Sequence, residues 1–278
     1  MAPITRWRHA PSRYRWILRR KRWIMAAVHG SGLHALFEAL WTPNRAFEIT
    51  RHAITAPVPR TVRVALVADL HVVRPGVRER RLLALLHAEA PDAIVLNGDF
   101  AALGGAADAC GPVIEQMRAP LGVWATLGNW DYGHPVADWR EFLAQRGVRL
   151  LVNEAAPLIG DVWLAGLDDA LVGMPDADAA LAAVPRGAYV IGVAHCPVLF
   201  DDVADRFPLV FAGHTHGGQI RVPGLPPLYM PRGCWPYVAG WYERRSSRMY
   251  VSRGIGCPGL PVRIACAPEI AIFELGRM

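Results

Sequence analysis

This sequence predicts an α/β fold built as two facing mixed β-sheets flanked by helices, a four-layer α/β/β/α sandwich. Three observations carry that expectation. Between residues 62 and 147, β-branched apolar runs alternate with stretches of helical periodicity. Beyond residue 148 the runs continue with shorter helices between them, which calls for a second sheet packed on the first. Carboxylate, amide and imidazole residues stand directly after five of the runs, where ligands gather in α/β sheets.

The elements follow in order. Ala46 to Pro59 reads as a strand and a proline-punctuated turn. Val62 to Val67 is a buried strand ending at Asp69. Residues 78–90 place Leu82, Leu83, Leu85 and Leu86 at helical spacing. Ala93 to Leu96 is the next strand, ending at Asp99, and residues 106–118 are expected to be helical. Val123 to Leu127 ends at Asn129, and a helix over 135–146 stops at Gly147. Strands are then expected at Val148 to Val152, Val162 to Leu167, Tyr189 to Ala194, Leu209 to Ala212, Met249 to Val251 and Ile270 to Phe273. Residues 223–242 hold five prolines with Trp235, Tyr237 and Trp241, and read as a stiff aromatic loop. Such a loop recognises an acyl chain, carries a partner or packs over a sheet edge.

The 278 residues suffice for one large domain over 46–278 and an extension over 1–45. The net charge of +6 is unevenly placed: residues 1–22 carry seven Arg and one Lys with no acid, leaving −2 for the remainder. A nucleic-acid partner needs a basic face on the folded part, which the sequence does not offer. The basic stretch is interleaved with Trp7, Tyr14 and Trp16, and the mostly apolar run from Trp23 to Trp41 is interrupted by His29, Ser31, His34 and Glu38. Residues 1–41 therefore suit an interfacial helix on an anionic leaflet, at the cytoplasmic face. A true span with the enzyme facing outward, export, and a helix packed on the domain are the alternatives. Cys110, Cys196, Cys234, Cys257 and Cys266 form no C-x-x-C pair and read as reduced, mostly buried thiols. Export would allow Cys257 and Cys266 to pair.

The chemistry lies in Asp69-Leu70-His71, Gly98-Asp99, Gly128-Asn129-Trp130-Asp131, Ala194-His195 and Gly213-His214-Thr215-His216-Gly217-Gly218. Asp69 and His71, two apart on an extended strand end, are expected to point the same way. Asp99 can bridge two ions through its two oxygens. His214 and His216 share a direction by the same spacing, and flanking glycines let the backbone turn closely around a charged centre. Oxygen and imidazole donors of this kind suit Mn²⁺, Fe²⁺ or Zn²⁺ without selecting among them.

In this order the clusters resemble the calcineurin-like metallophosphoesterase superfamily, from about Val62 to the carboxyl terminus. Gly213 to Ile220 and Tyr250 to Gly256 resemble its bacterial membrane-associated branch, similar to UDP-2,3-diacylglucosamine hydrolases. The resemblance implies two divalent ions, one held by Asp69, His71, Asp99 and His216, the other by Asp99, Asn129, His195 and His214. Asp99, Asn129 and His195 would then serve catalysis, with Trp130, Arg253, Arg263 or Arg74 contacting substrate phosphate. It implies hydrolysis of a phosphoric ester or pyrophosphate, on a lipid-linked or nucleotide-linked substrate at a membrane surface.

One position departs from the family pattern. Trp130 stands where the family has a His directly after the Asn, and indole cannot protonate a leaving group. Pyrophosphates and activated diesters are therefore expected to be better substrates than alkyl monoesters, with His134 as a rival source of the missing imidazole. Two other readings remain at this point: a soluble phosphodiesterase for small diesters or cyclic nucleotides, and a scaffold that keeps metals as structural staples.

Overall fold

The computed structural model describes residues 46–102, 107–259 and 261–277. The expected membrane-interface segment, residues 1–45, lies outside them. Among the described residues twelve strands form two six-stranded sheets. The first half of the chain supplies β1 (Glu48–Thr55), β2 (Val62–Ala68), β3 (Ala93–Asn97), β4 (Gly122–Thr126) and β5 (Val148–Leu150). The second supplies β6 (Glu154–Ile159), β7 (Val162–Gly166), β8 (Tyr189–Ala194), β9 (Leu209–Ala212), β10 (Gly240–Arg244) and β11 (Ser247–Val251). The last strand, β12 (Glu269–Gly276), returns to the first sheet and inserts between β1 and β2.

Strand alternation explains the layering. In β2, Val64 and Leu66 join the core between the sheets, while Ala65 and Val67 face the outer core. The same division separates Val95 from Ile94 and Leu96 in β3, and Ile191 and Val193 from Val190 and Ala194 in β8. Each central strand is buried on both faces and so reads as a continuous apolar run. Outside the first sheet, α1 (Val77–Glu89) contributes Leu82 and Leu86. After the short α2 (Gly111–Ile114), α3 (Val136–Ala144) adds Trp139 and Leu143 to the same core. Outside the second sheet, α4 (Ala177–Leu181) contributes Ala177 and Ala180, and α5 (Phe200–Val203) contributes Phe200 and Val203. The result is the four-layer sandwich. Both sheets are mixed: β2 to β5 run parallel with β12 antiparallel to β2, and β7, β8, β9 and β11 run parallel with antiparallel edges β6 and β10.

Three local expectations are corrected. The helix expected over 106–118 is instead a 3₁₀ turn at Ala107–Ala109 followed by α2, which ends at Ile114. Pro112 lacks an N–H and cannot sit inside a continuous helix, so a new one starts beside it. Two strands were not anticipated, β6 and β10. Both are edges of the second sheet. β6 contains Pro157, where the pairing shifts register, and an edge strand tolerates proline because one side needs no partner. β10 occupies the end of the stretch expected as aromatic loop, so Trp241 is a strand residue there.

Candidate metal centre

Five strand ends deliver the site. Asp69 follows β2, Asp99 follows β3 and Asn129 follows β4, while His195 follows β8 and His214 follows β9. β2, β3 and β4 are neighbours in one sheet, β8 and β9 in the other, so the loops meet at one end of the sandwich. Asn97 joins the two sheets there. Its side-chain amide donates to the carbonyls of Ala194 and Phe211, and its own Oδ1 accepts from Thr126 Oγ1 at 3.0 Å.

The backbone at the site is strained. Asp69, His71, Asp99, His214 and His216 all have positive φ, between 43° and 68°. Non-glycine residues hold such angles only where the surroundings enforce them, and they cluster at functional sites. Strand alternation is therefore not what aligns Asp69 with His71, contrary to the expectation; left-handed turns do. Gly98 and Gly128 permit the close approach of two of these loops. A Cβ on Gly98 would strike Gly128 N, and one on Gly128 would strike Asp99 Oδ1.

Asp69, His71, Asp99, Asn129, His195, His214 and His216 are all nearly or fully buried, and six of them, all but Asn129, come together at the strand ends. They form two groups. Asp69, His71 and His216 each offer a ligand atom within 4.8 Å of the others, and so do Asp99, His195 and His214. His214 and His216 do not share a direction; the turn between them sends each to a different group. Asp99 lies between the groups, with Oδ2 3.4 Å from His71 Nε2 and 3.5 Å from His195 Nε2. Its Oδ1 accepts from Trp130 N–H at 2.8 Å. Asp99 would thus be the residue shared by two ions, with Oδ2 close to an imidazole of each group.

Carbonyl oxygens set the imidazole tautomers. His195 Nδ1 donates to Asn97 O at 3.0 Å, His214 Nε2 to Arg232 O at 2.7 Å, and His216 Nδ1 to Gly256 O at 3.3 Å. A carbonyl only accepts, so in the neutral ring each bond leaves the opposite nitrogen with its lone pair. His195 Nε2 is buried and, among the described residues, has no hydrogen-bond partner. His71 Nε2 and His216 Nε2 face each other at 3.2 Å. A lone-pair nitrogen with no donor, beside two carboxylates, fits a cation.

The electrostatics agree. Burial holds His71 down to about 3, and holds His214 down to about 4 with help from the charge on His195. Burial also drives the Asp69 carboxyl upward. Burial opposes a charge on His195, but the Asp99 carboxylate overrides it and raises the imidazole to about 10. Without ions the cage thus retains protons where positive charge is wanted.

Asp131 carries more of the geometry than the sequence indicated. It is buried and accepts from Asp99 N–H at 2.7 Å, Gly128 N–H at 2.8 Å and Phe100 N–H at 2.9 Å. One carboxylate thereby ties the Asp99 loop to the Asn129 loop. Asp131→Ala strands three buried donors, each costing about 1–3 kcal/mol, so a loss of about 3 kcal/mol or more is expected from the urea midpoint. An unchanged midpoint would refute that role.

The expected substrate contacts fare differently. The Trp130 ring is partly exposed and meets the edge of His71 at 4.3 Å between centroids. Arg253 is committed elsewhere, to Glu48 at 2.7 Å and Glu269 at 3.2 Å. Arg263 is buried and donates to the carbonyls of Gly256 at 2.6 Å and Arg253 at 2.9 Å. Neither arginine is placed as a phosphate clamp; Arg263 instead braces the backbone around His216, whose carbonyl it also reaches at 3.5 Å. Arg74 is exposed, three residues past His71. His134 packs edge-on to Trp139 at the start of α3. All five cysteines are buried, and none forms a disulfide. Asn97 and Asp131 show that polar residues inside or beside apolar runs were the readable signal for support of the ligands.

A sandwich of this layering, with two His/Asp groups at its strand ends, defines a metal-dependent phosphoesterase. Residues 62–218 match the calcineurin-like phosphoesterases, and the chain belongs to that family. It is 30% identical over 206 residues to the uncharacterized metallophosphoesterase YkuE of Bacillus subtilis, covering 70% of this chain and 72% of the relative. The phosphodiesterase YaeI of Escherichia coli is 29% identical over 245 residues, 82% of this chain and 88% of YaeI. A transmembrane protein with a metallophosphoesterase domain from Danio rerio is 30% identical over 239 residues, 77% of this chain and 53% of that protein.

Proposed function

We propose that the protein hydrolyses phosphoric diesters or pyrophosphates at a dinuclear centre. The carrying observation is the position of Asp99 Oδ2 between the two ligand groups. Asp69, His71, Asp99 and His216 would hold one ion, and Asp99, Asn129, His195 and His214 the other. Two such ions supply a nucleophile at neutral pH and neutralise the phosphoryl oxygens. The chain's part is to hold the donors in fixed tautomers and keep the cage dry. Arg74, exposed three residues past His71, is one arginine available to meet substrate phosphate. The similarity to a relative named as a phosphodiesterase supports a diester substrate. The test is hydrolysis of bis-p-nitrophenyl phosphate by purified protein, dependent on Mn²⁺, Fe²⁺ or Zn²⁺ and abolished in Asp99→Ala.

The finer reading places the substrate at a membrane. The basic, aromatic residues 1–41 support peripheral attachment to an anionic leaflet on the cytoplasmic side. Among the described residues no helix is long and apolar enough to cross a membrane. Removing residues 1–41 is expected to abolish sedimentation with anionic vesicles while hydrolysis of the soluble diester persists. Sedimentation that survives the deletion would exclude this attachment.

A further inference from the structure

Asp169 is a fully buried carboxylate at the same end of the sandwich as the ligands. It follows β7, the neighbour of β8 in the second sheet. The pairing of these two strands runs past the end of β7, where Leu167 N–H donates to Val193 O at 2.9 Å. Two residues further along each chain stand Asp169 and His195. The Asp169 loop also packs on its neighbours. Leu171 and Val172 share an apolar cluster with Cys196 and Val198, and Tyr132 from the Asn129 loop lies against it. The preceding residue, Asp168, accepts from the Tyr132 hydroxyl.

The two oxygens of Asp169 differ. Oδ1 accepts from Leu171 N–H at 2.9 Å and Val172 N–H at 3.0 Å, which fixes the carboxylate. Oδ2 is buried and, among the described residues, has no hydrogen-bond partner. A buried acceptor without a donor is costly, and such atoms call for an explanation. Burial pushes the carboxyl up to about 6, against the charge on His195 and together with that on Asp99, so both ligands lie within electrostatic reach. Two simpler roles do not fit. Asp169 is not one of the three residues whose ligand atoms meet within 4.8 Å, so it is not a further ligand of that group. Nor does it orient the His195 ring, because Nδ1 is bound to Asn97 O and Nε2 lies 3.5 Å from Asp99 Oδ2. A donor carried by the ion itself remains for Oδ2.

We propose that Asp169 is a positioning residue of the second ion site, its Oδ2 accepting a hydrogen bond from water on the ion held by Asp99, His195 and His214. The role rests on the dinuclear reading and adds a residue to it. The test is a calorimetric titration of the full-length, metal-free protein with Mn²⁺, repeated for Asp169→Asn and Asp169→Ser. Both substitutions keep an oxygen for the Leu171 and Val172 N–H groups and remove Oδ2. The unaltered protein should bind two equivalents. In both variants one equivalent should bind about 10–100-fold more weakly and the other be retained. The acid limb of bis-p-nitrophenyl phosphate hydrolysis, at saturating Mn²⁺, should move to lower pH, since a nearby negative charge opposes loss of a proton from water. Two unweakened equivalents, or an unmoved limb, overturn the role, as does a fall in the urea midpoint alone, which marks support of the loop. Fewer than two equivalents in the unaltered protein would instead overturn the dinuclear reading, and the role of Asp169 with it.

Discussion

Asp99→Ala is expected to lower the metal-dependent hydrolysis of bis-p-nitrophenyl phosphate by about a thousandfold or more, the equivalent of several kcal/mol of transition-state stabilisation. The size follows from position. Asp99 Oδ2 lies within 3.5 Å of one imidazole nitrogen from each ligand group, so its removal weakens both ion sites together. Any other ligand in the cage belongs to one group and leaves the second intact. Metal content and rate should therefore fall in parallel, from two equivalents towards none. Asp99→Asn keeps the Oδ1 acceptor for Trp130 N–H while removing the charge, which separates a folding defect from a lost bridge. Full activity with two bound equivalents in either variant would sink the bridging role of Asp99.

Trp130→His is the second large effect, and it is a gain. The indole stands edge-on against His71 and has no proton to deliver to a leaving group. An imidazole there restores a general acid, a contribution of about 10²–10⁴-fold where the leaving group must be protonated. Alkyl esters should therefore gain about a hundredfold or more in kcat/KM, while pyrophosphates and p-nitrophenyl esters change little. The substitution preserves the main-chain N–H that Asp99 Oδ1 accepts, so this anchor of the Asp99 carboxylate is kept. A gain confined to pyrophosphates would contradict the argument, since their leaving groups depart as stable anions.

Much of the architecture was legible because its signals are local. β2, β3, β8 and β9 are apolar runs buried on both faces, and each ends at a polar residue in the sequence itself. β6 and β10 were not legible. They pair on one side only, tolerate Pro157 and aromatic residues at half-buried positions, and so lack the continuous apolar pattern. The helix expected over 106–118 failed for a different reason: composition favoured it, but Pro112 divides the backbone hydrogen bonding.

Asp131 and Asn97 illustrate the same boundary within the site. Each is a polar residue next to a ligand, which the sequence displays. That Asp131 collects three backbone N–H groups from two loops, and that Asn97 links β3 to β8 and β9, are facts of packing. Likewise nothing in the order of residues marks Arg253 and Arg263 as already engaged, because their partners come from Glu48, Glu269 and distant carbonyls.

The sequence by itself determined which side chains can reach a metal and that each stands at the carboxyl end of a strand, since both follow from residue chemistry and short-range apolar periodicity. Only the tertiary structure decided how they are shared out. His214 and His216, two apart in the chain, serve different groups, whereas Asp69 and His216 share one. That partition depends on two sheets stacking face to face and on five left-handed backbone turns that their packing enforces. Contacts of that range leave no periodic trace in the chain.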